Sequence, residues 1–149
     1  MMLSVVPYGK IVAKWLIDNA HGTLPSANGA WPIFSPILKE TPDEAMCVGK
    51  TGDDLDGTIL KTGEPIVHPD IQVRIRAKDH DSGWAKGAAV RNALVSMMNA
   101  SVDVTIAPTT YSFLLCKFTL TADLTYVGLE DQSKRPWFTI NGTITIQGA

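Results

Sequence analysis

The stretch 71–98, IQVRIRAKDHDSGWAKGAAVRNALVSMM, constrains the fold more than any other part of the chain. Ile71, Val73, Ile75 and Ala77 alternate with Gln72, Arg74, Arg76 and Lys78. A period of two is that of a strand with one buried and one polar face. The period then changes. Asp79 and Asp81 both suit a helix cap, because a short carboxylate accepts the free amide hydrogens of a first turn. Gly83, Gly87, Val90, Leu94 and Met97 follow at helical spacing and line one face, which Trp84 and Ala88 widen. The two glycines let the helix backbone lie close to whatever it packs on. The stretch therefore predicts a strand and a helix that bury their apolar faces against each other.

With 149 residues the chain suits one domain, 1–149, and 45% apolar residues suffice for a core. A net charge of −2 supplies no global basic field to recruit nucleic acid. The two cysteines, Cys47 and Cys116, have no metal-ligand spacing and lie in apolar runs, so they read as small buried hydrophobes. No charged leader precedes the first apolar run, and no apolar segment reaches the ~20 residues that span a bilayer. These features predict a protein made and kept in a reducing cytosol, with no membrane association. Asn99-Ala100-Ser101 and Asn141-Gly142-Thr143 match a glycosylation pattern that has no meaning without secretion.

A first helix is predicted over about 6–20, with Tyr8, Ile11, Val12, Trp15 and Leu16 on one face. Pro7 suits its first turn and Gly22 its stop. Residues 23–42 read as a long irregular loop punctuated by Pro25, Gly29, Pro32, Pro36 and Pro42. Its Trp31, Ile33, Phe34, Ile37 and Leu38 have apolar surface to bury, either on a partner or on the protein's own core. A short strand over 45–48 leads into a turn-rich run. Residues 58–60 and 65–68 read either as a hairpin arm or as a lead-in to the central strand, with Gly63 marking the turn. Beyond the central helix come strands at Val102, Val104 and Ile106, a bulged apolar strand over 111–120 that 124–129 continues or pairs with, and a last strand. In that strand Phe138, Ile140, Ile144 and Ile146 alternate with polar residues, and Gly142 suits a bulge. This order predicts an α+β domain: a mostly antiparallel or mixed sheet with two main helices packed on one face.

Chemistry-bearing motifs are sparse. Gly49-Lys50-Thr51 resembles the end of a phosphate loop, but Glu44 stands where that motif needs its first glycine. Asp53, Asp54 and Asp56 lack the alternating ligands and sixth-position glycine of a calcium loop, and read as a solvated acidic turn. His21, His68 and His80 are scattered, and no serine or cysteine sits in a nucleophile motif. No catalytic, cofactor or metal site is therefore expected. Arg74, Arg76 and Lys78 share the polar face of the central strand. They read either as a solvated face or as an interface to acidic groups or phosphates.

Several of these stretches together resemble a known family. Pro42-Asp43, Gly52, Gln72-Val73-Arg74-Ile75-Arg76, Asp79, Arg91-Asn92-Ala93-Leu94 and Lys134-Arg135-Pro136 before Trp137 are similar to the tail terminator (tail completion) proteins of long-tailed bacteriophages. That family includes proteins labelled minor capsid protein. The resemblance covers most of the chain from residue 41 onward, and the first helix fits it. It implies a ring, usually of six subunits, on the end of the tail tube. Such a ring stops tube growth and presents a surface to the head's connector or stopper, while viral DNA passes through the lumen without sequence-specific binding. It implies no catalysis and no cofactor, and a place in the tail or neck of a virion built in the bacterial cytoplasm. A head-completion or stopper protein of the same neck is the alternative, and a small enzyme is a third class.

Interface residues follow as expectations. Trp31 and Phe34 of the loop are expected against a partner. Arg74 and Arg76 are expected to pair across a subunit boundary with acidic turns, from Asp53, Asp54, Asp56, Glu130 and Asp131. Replacing both arginines by glutamate is expected to leave folding intact and to abolish capping.

Overall fold

Helix α1, Tyr8–Asp18, buries the five apolar residues that share its stripe: Tyr8, Ile11, Val12, Trp15 and Leu16. The structure is a computed structural model that describes residues 6–52, 55–58, 65–130 and 132–148. Pro7 stands one place outside the helix, and its carbonyl accepts from the amides of Lys10 and Ile11. The helix ends before Gly22: Asn19 caps it, and Ala20 takes the left-handed conformation at φ 61°.

The segment expected to be irregular holds a short 3-10 turn, Pro25–Ala27, and a strand, β1, Ile33–Phe34. Its apolar residues divide. Ile33 and Phe34 are buried in the chain's own core and Trp31 is half-buried, whereas Leu24 and Ile37 remain 51% and 74% exposed. Strand β2, Ala45–Gly52, runs four residues beyond the expected 45–48. Gly49 and Lys50 pair with Gln72 and Ile71, so this motif forms strand and not a phosphate loop. The arm is antiparallel, but its first strand, β3, Leu55–Thr58, comes earlier than the expected 58–60, of which 59 and 60 lie outside the described residues; its second is β4, Pro65–Val67. Gly63, at its expected turn, lies outside the described residues.

Strand β5, Asp70–Arg76, and helix α2, His80–Ser96, are the unit read from the central stretch. Asp79 is the cap, its Oδ1 accepting from the Ser82 amide at 2.8 Å, and Asp81 lies in the first turn. Gly83, Gly87, Val90 and Leu94 are buried as their spacing requires. A Cβ on Gly83 would lie 2.2 Å from the Phe138 ring, and one on Gly87 would lie 2.5 Å from the end of Leu124. The helix backbone therefore rests directly on the sheet. Trp84 does not widen the buried face. It turns outward and is 42% exposed.

Strands β6, Met98–Ile106, β7, Thr109–Leu129, and β8, Pro136–Gly148, complete the chain. Strand β8 is the middle of the sheet: β5 and then β4 pair along one side of it, and β7 pairs along the other. Beyond β5 lie β2 and β1, beyond β7 lies β6, and β3 extends β4. Among the described strands only β1 and β2 pair in parallel, so the sheet is mixed. The bulge expected within 111–120 is present, where β7 advances from Leu115 to Lys117 while β8 moves one residue; the one expected at Gly142 is not on β8, since it is β7 that advances again from Leu120 to Ala122 opposite Gly142. At Gly142 a side chain would strike the Phe118 ring at 2.2 Å. Helix α2 packs on β5, β7 and β8. Helix α1 touches β1 and β2 but also β6, from the other end of the strand order, so the sheet curls around it. Both helices bury their stripes in one core on one face of the sheet. This is the α+β architecture expected.

Candidate interaction surface

On β5, Ile71, Val73 and Ile75 point into the core, so Gln72, Arg74 and Arg76 point to the helix-free face. The two arginines have opposite fates. Arg74 is exposed, with its guanidinium 4.5 Å from the centre of the Trp137 ring, a cation–π geometry. Arg76 is only 2% exposed. Its Nη2 donates to the Glu40 carbonyl at 3.1 Å and to the Pro42 carbonyl, and its Nε donates to the Asp43 carbonyl at 3.1 Å. A second buried arginine, Arg135, completes this clamp. Its Nε donates to Glu130 Oε1 at 2.7 Å, and its Nη1 donates to the Glu40 carbonyl at 2.6 Å and to Asp43 Oδ1 at 3.1 Å.

Burial pushes the Arg76 pKa down, and Arg135 adds to that. Burial also acts to lower Arg135, but Glu130, Asp43 and Glu40 outweigh it and hold Arg135 above its ordinary value. Both stay cationic at neutral pH, as arginine does in proteins. The clamp ties the segment before β2 to the loop before β8, within one chain.

This geometry corrects the reading of the arginine row. Arg76 is committed inside the subunit, and Glu130 lies at that clamp, 3.9 Å from Arg76 Nε. Reversing Arg76 to glutamate would set a carboxylate against those carbonyls and Glu130, so the double reversal is expected to disturb folding as well as any contact. Arg74 alone keeps its donors turned outward. Lys78 is exposed and leans toward Glu44 at 3.8 Å. Phe34 is likewise taken by the core, and Trp31 lies under Lys86, whose Nζ is 5.6 Å from the ring centre. Asp53, Asp54 and Asp131 lie outside the described residues, and of Asp56 only the backbone is described.

The histidines are apart. Burial, then Lys86, pushes His21 down. His68 Nδ1 bonds the Thr145 hydroxyl at 2.9 Å. His80 stands beside Tyr126 and Phe138. Cys47 is buried and Cys116 half-buried, and both are free. Among the described residues no three His, Cys, Asp or Glu side chains gather to hold a metal, and no helix is long and apolar enough to cross a membrane.

A surface absent from the sequence reading lies on the second half of β7. Strand β6 pairs with β7 only as far as Lys117, so among the described residues no strand covers that edge from Phe118 onward. Apolar side chains collect there: Tyr126 is 43% exposed, Val127 45% and Leu129 51%. Tyr126 joins Trp84 through the His80 and Phe138 rings on the helix side. Val127 and Leu129 line a 450 Å³ recess on the helix-free side, together with Leu38, Arg74 and Trp137.

No protein-family model matches the chain, and no curated protein matches it. What the surface can do thus follows from its own chemistry. An arginine stacked on an indole, flanked by exposed aliphatic and aromatic side chains, suits a protein partner with a carboxylate beside apolar groups. The sequence signal for it was the crowding of Leu124, Tyr126, Val127 and Leu129. With a register shift between Tyr126 and Gly128, these residues cannot all reach the core.

Proposed function

We propose that this chain is a structural protein of a bacteriophage virion: a ring on the end of the tail tube that stops tube growth and offers a surface to the head's connector or stopper. The observation that carries the reading is the apolar patch of Trp84, Tyr126, Val127 and Leu129 along the open edge of β7. Patches of this kind mark protein–protein contacts. The resemblance to tail terminators gains support from the arginine clamp, where Pro42-Asp43, Arg76 and Arg135, far apart in the chain, meet at one point. In this reading the protein acts by shape and contact, with no catalysis and no cofactor. Its partners are further copies of itself, the tube protein and the neck, and viral DNA crosses the lumen without base-specific contacts. It is made in the bacterial cytoplasm and resides in the tail or neck.

Electron microscopy of tails made with and without the protein tests this. The expected result is overlong tails without heads when it is missing. Normal tails that fail to join heads would favour the stopper alternative, and normal headed phage would reject both.

A further inference from the structure

We infer that the acidic run 53–60 of one copy of this chain docks in a lysine-rimmed groove of another. The groove lies between α1, the segment 33–37 and β6, with a volume of 680 Å³. Phe34, Leu24 and Ile37 give it an apolar lining, and Lys10, Lys14 and Lys39 stand around it. Among the described residues no acidic side chain lines it. Leu24 and Ile37 are exposed despite being apolar, and burying them on a partner is favourable. Lys14 is held by Asp18, but Lys10 and Lys39 are exposed and make no ion pair among the described residues. The complement of such a groove is an apolar segment with carboxylates beside it.

The chain carries a segment of that kind. The run 53–60, DDLDGTIL, sets Asp53, Asp54 and Asp56 beside Leu55, Ile59 and Leu60. Its middle is β3, which ends the strand order and whose outer side no strand covers among the described residues. Asp56 is the residue by which β3 bulges, since Leu55 and Gly57 face the consecutive Val67 and Ile66 of β4. The other carboxylates suit the groove less. Those that the structure describes are held in their own subunit by lysine, arginine, hydroxyl or amide groups, except Asp81, which stands singly 3.7 Å from His80. Glu64 is alone in the sequence, and Asp131 adjoins Glu130, which Arg135 holds. The run was expected against Arg74 and Arg76, but Arg76 is committed inside the subunit. Two unpaired lysines beside exposed apolar surface match it better. Run and groove are different surfaces, so one copy can enter a neighbour and receive another. Contacts of this type close into a ring when the rotation allows. The contact is separate from the β7 edge. It rests on the ring reading for the identity of its partner, a second copy, and adds which surfaces meet.

Zero-length cross-linking tests it on the full chain. A carbodiimide joins a carboxylate to an amine in direct contact. In an equal mixture of isotope-labelled and unlabelled chain, a link between copies carries both isotopes. The expected products are mixed-isotope links from Lys10 or Lys39 to Asp53, Asp54 or Asp56. Lys10→Glu with Lys39→Glu is expected to keep the parent's melting temperature and to weaken self-association about tenfold or more by sedimentation. Asp53→Lys with Asp54→Lys in the same chain is expected to restore it. Absence of mixed-isotope links at these lysines, or unchanged association of the reversed chain, overturns the pairing. If the parent chain still forms oligomers by native mass measurement, the ring reading survives that failure. The expected links in a protein whose absence leaves tails of normal length support the pairing and remove the tail reading.

Discussion

Two regions of the molecule break the usual division between inside and outside, in opposite directions. At the clamp, Arg76 and Arg135 are buried cations. At the far half of β7, tyrosine, valine and leucine face water. A buried guanidinium persists only when its donors find acceptors. Here Arg76 finds three backbone carbonyls of the same chain as acceptors, with the Glu130 carboxylate 3.9 Å away, so that region is complete within one subunit. The exposed apolar edge has no such completion among the described residues. The contrast separates what builds the subunit from what remains for a neighbour.

The largest expected effect comes from breaking the clamp. Arg76→Ala takes the guanidinium donor from the partly buried carbonyls of Pro42 and Asp43 and is expected to cost about 3 kcal/mol in chemical denaturation. A loss below ~1 kcal/mol would place Arg76 in the same class as Arg74 and erase the contrast. Next come the neighbours Gly83 and Trp84, which divide between the two roles within one helical turn. Gly83→Leu drives a side chain into the Phe138 ring and is expected to cost about 1–3 kcal/mol by the same measurement. Gly87→Ala is expected to cost less than Gly83→Ala, because the end of Leu124 can move where a ring cannot. Trp84→Ala, by contrast, removes a half-exposed ring that touches Phe138 only from outside and is expected to cost about 1 kcal/mol. Arg74→Ala, which removes only an exposed cation from the face of Trp137, is expected to cost ~0.5–1 kcal/mol and to leave the fold intact.

The same contrast explains what could be read from sequence. The β5–α2 unit was legible because its periods of two and then of three and four are carried by adjacent residues. The buried set Gly83, Gly87, Val90 and Leu94 follows directly from that pattern. The last strand and the stripe of α1 were legible for the same reason. Arg74 and Arg76 were not separable, because alternation places both on one face. Only the approach of the 40–43 segment and of Arg135 decides which one is covered. Trp84 was misplaced because it lies next to the buried stripe, where small rotations of the helix decide exposure. The β7 patch was hidden by its bulges. Register shifts at Leu120, Ala122 and Tyr126 break the period of two, so apolar residues that look like continuing core turn outward. Of the expected interface residues, Arg74 and Arg76 both meet the recess beside the patch, but Arg74 is exposed there whereas Arg76 and Phe34 are buried.

The central claim is that the clamp holds the subunit together and the β7 edge holds subunits to one another. Val127→Asp combined with Leu129→Asp tests it most directly, through melting temperature and the mass of the assembly on tail tubes, measured on the same preparation. The account predicts a protein that melts with its parent and binds no neighbour, leaving tails overlong. A variant that assembles like the parent would contradict it, and so would one that unfolds, because the edge would then belong to the subunit's own core.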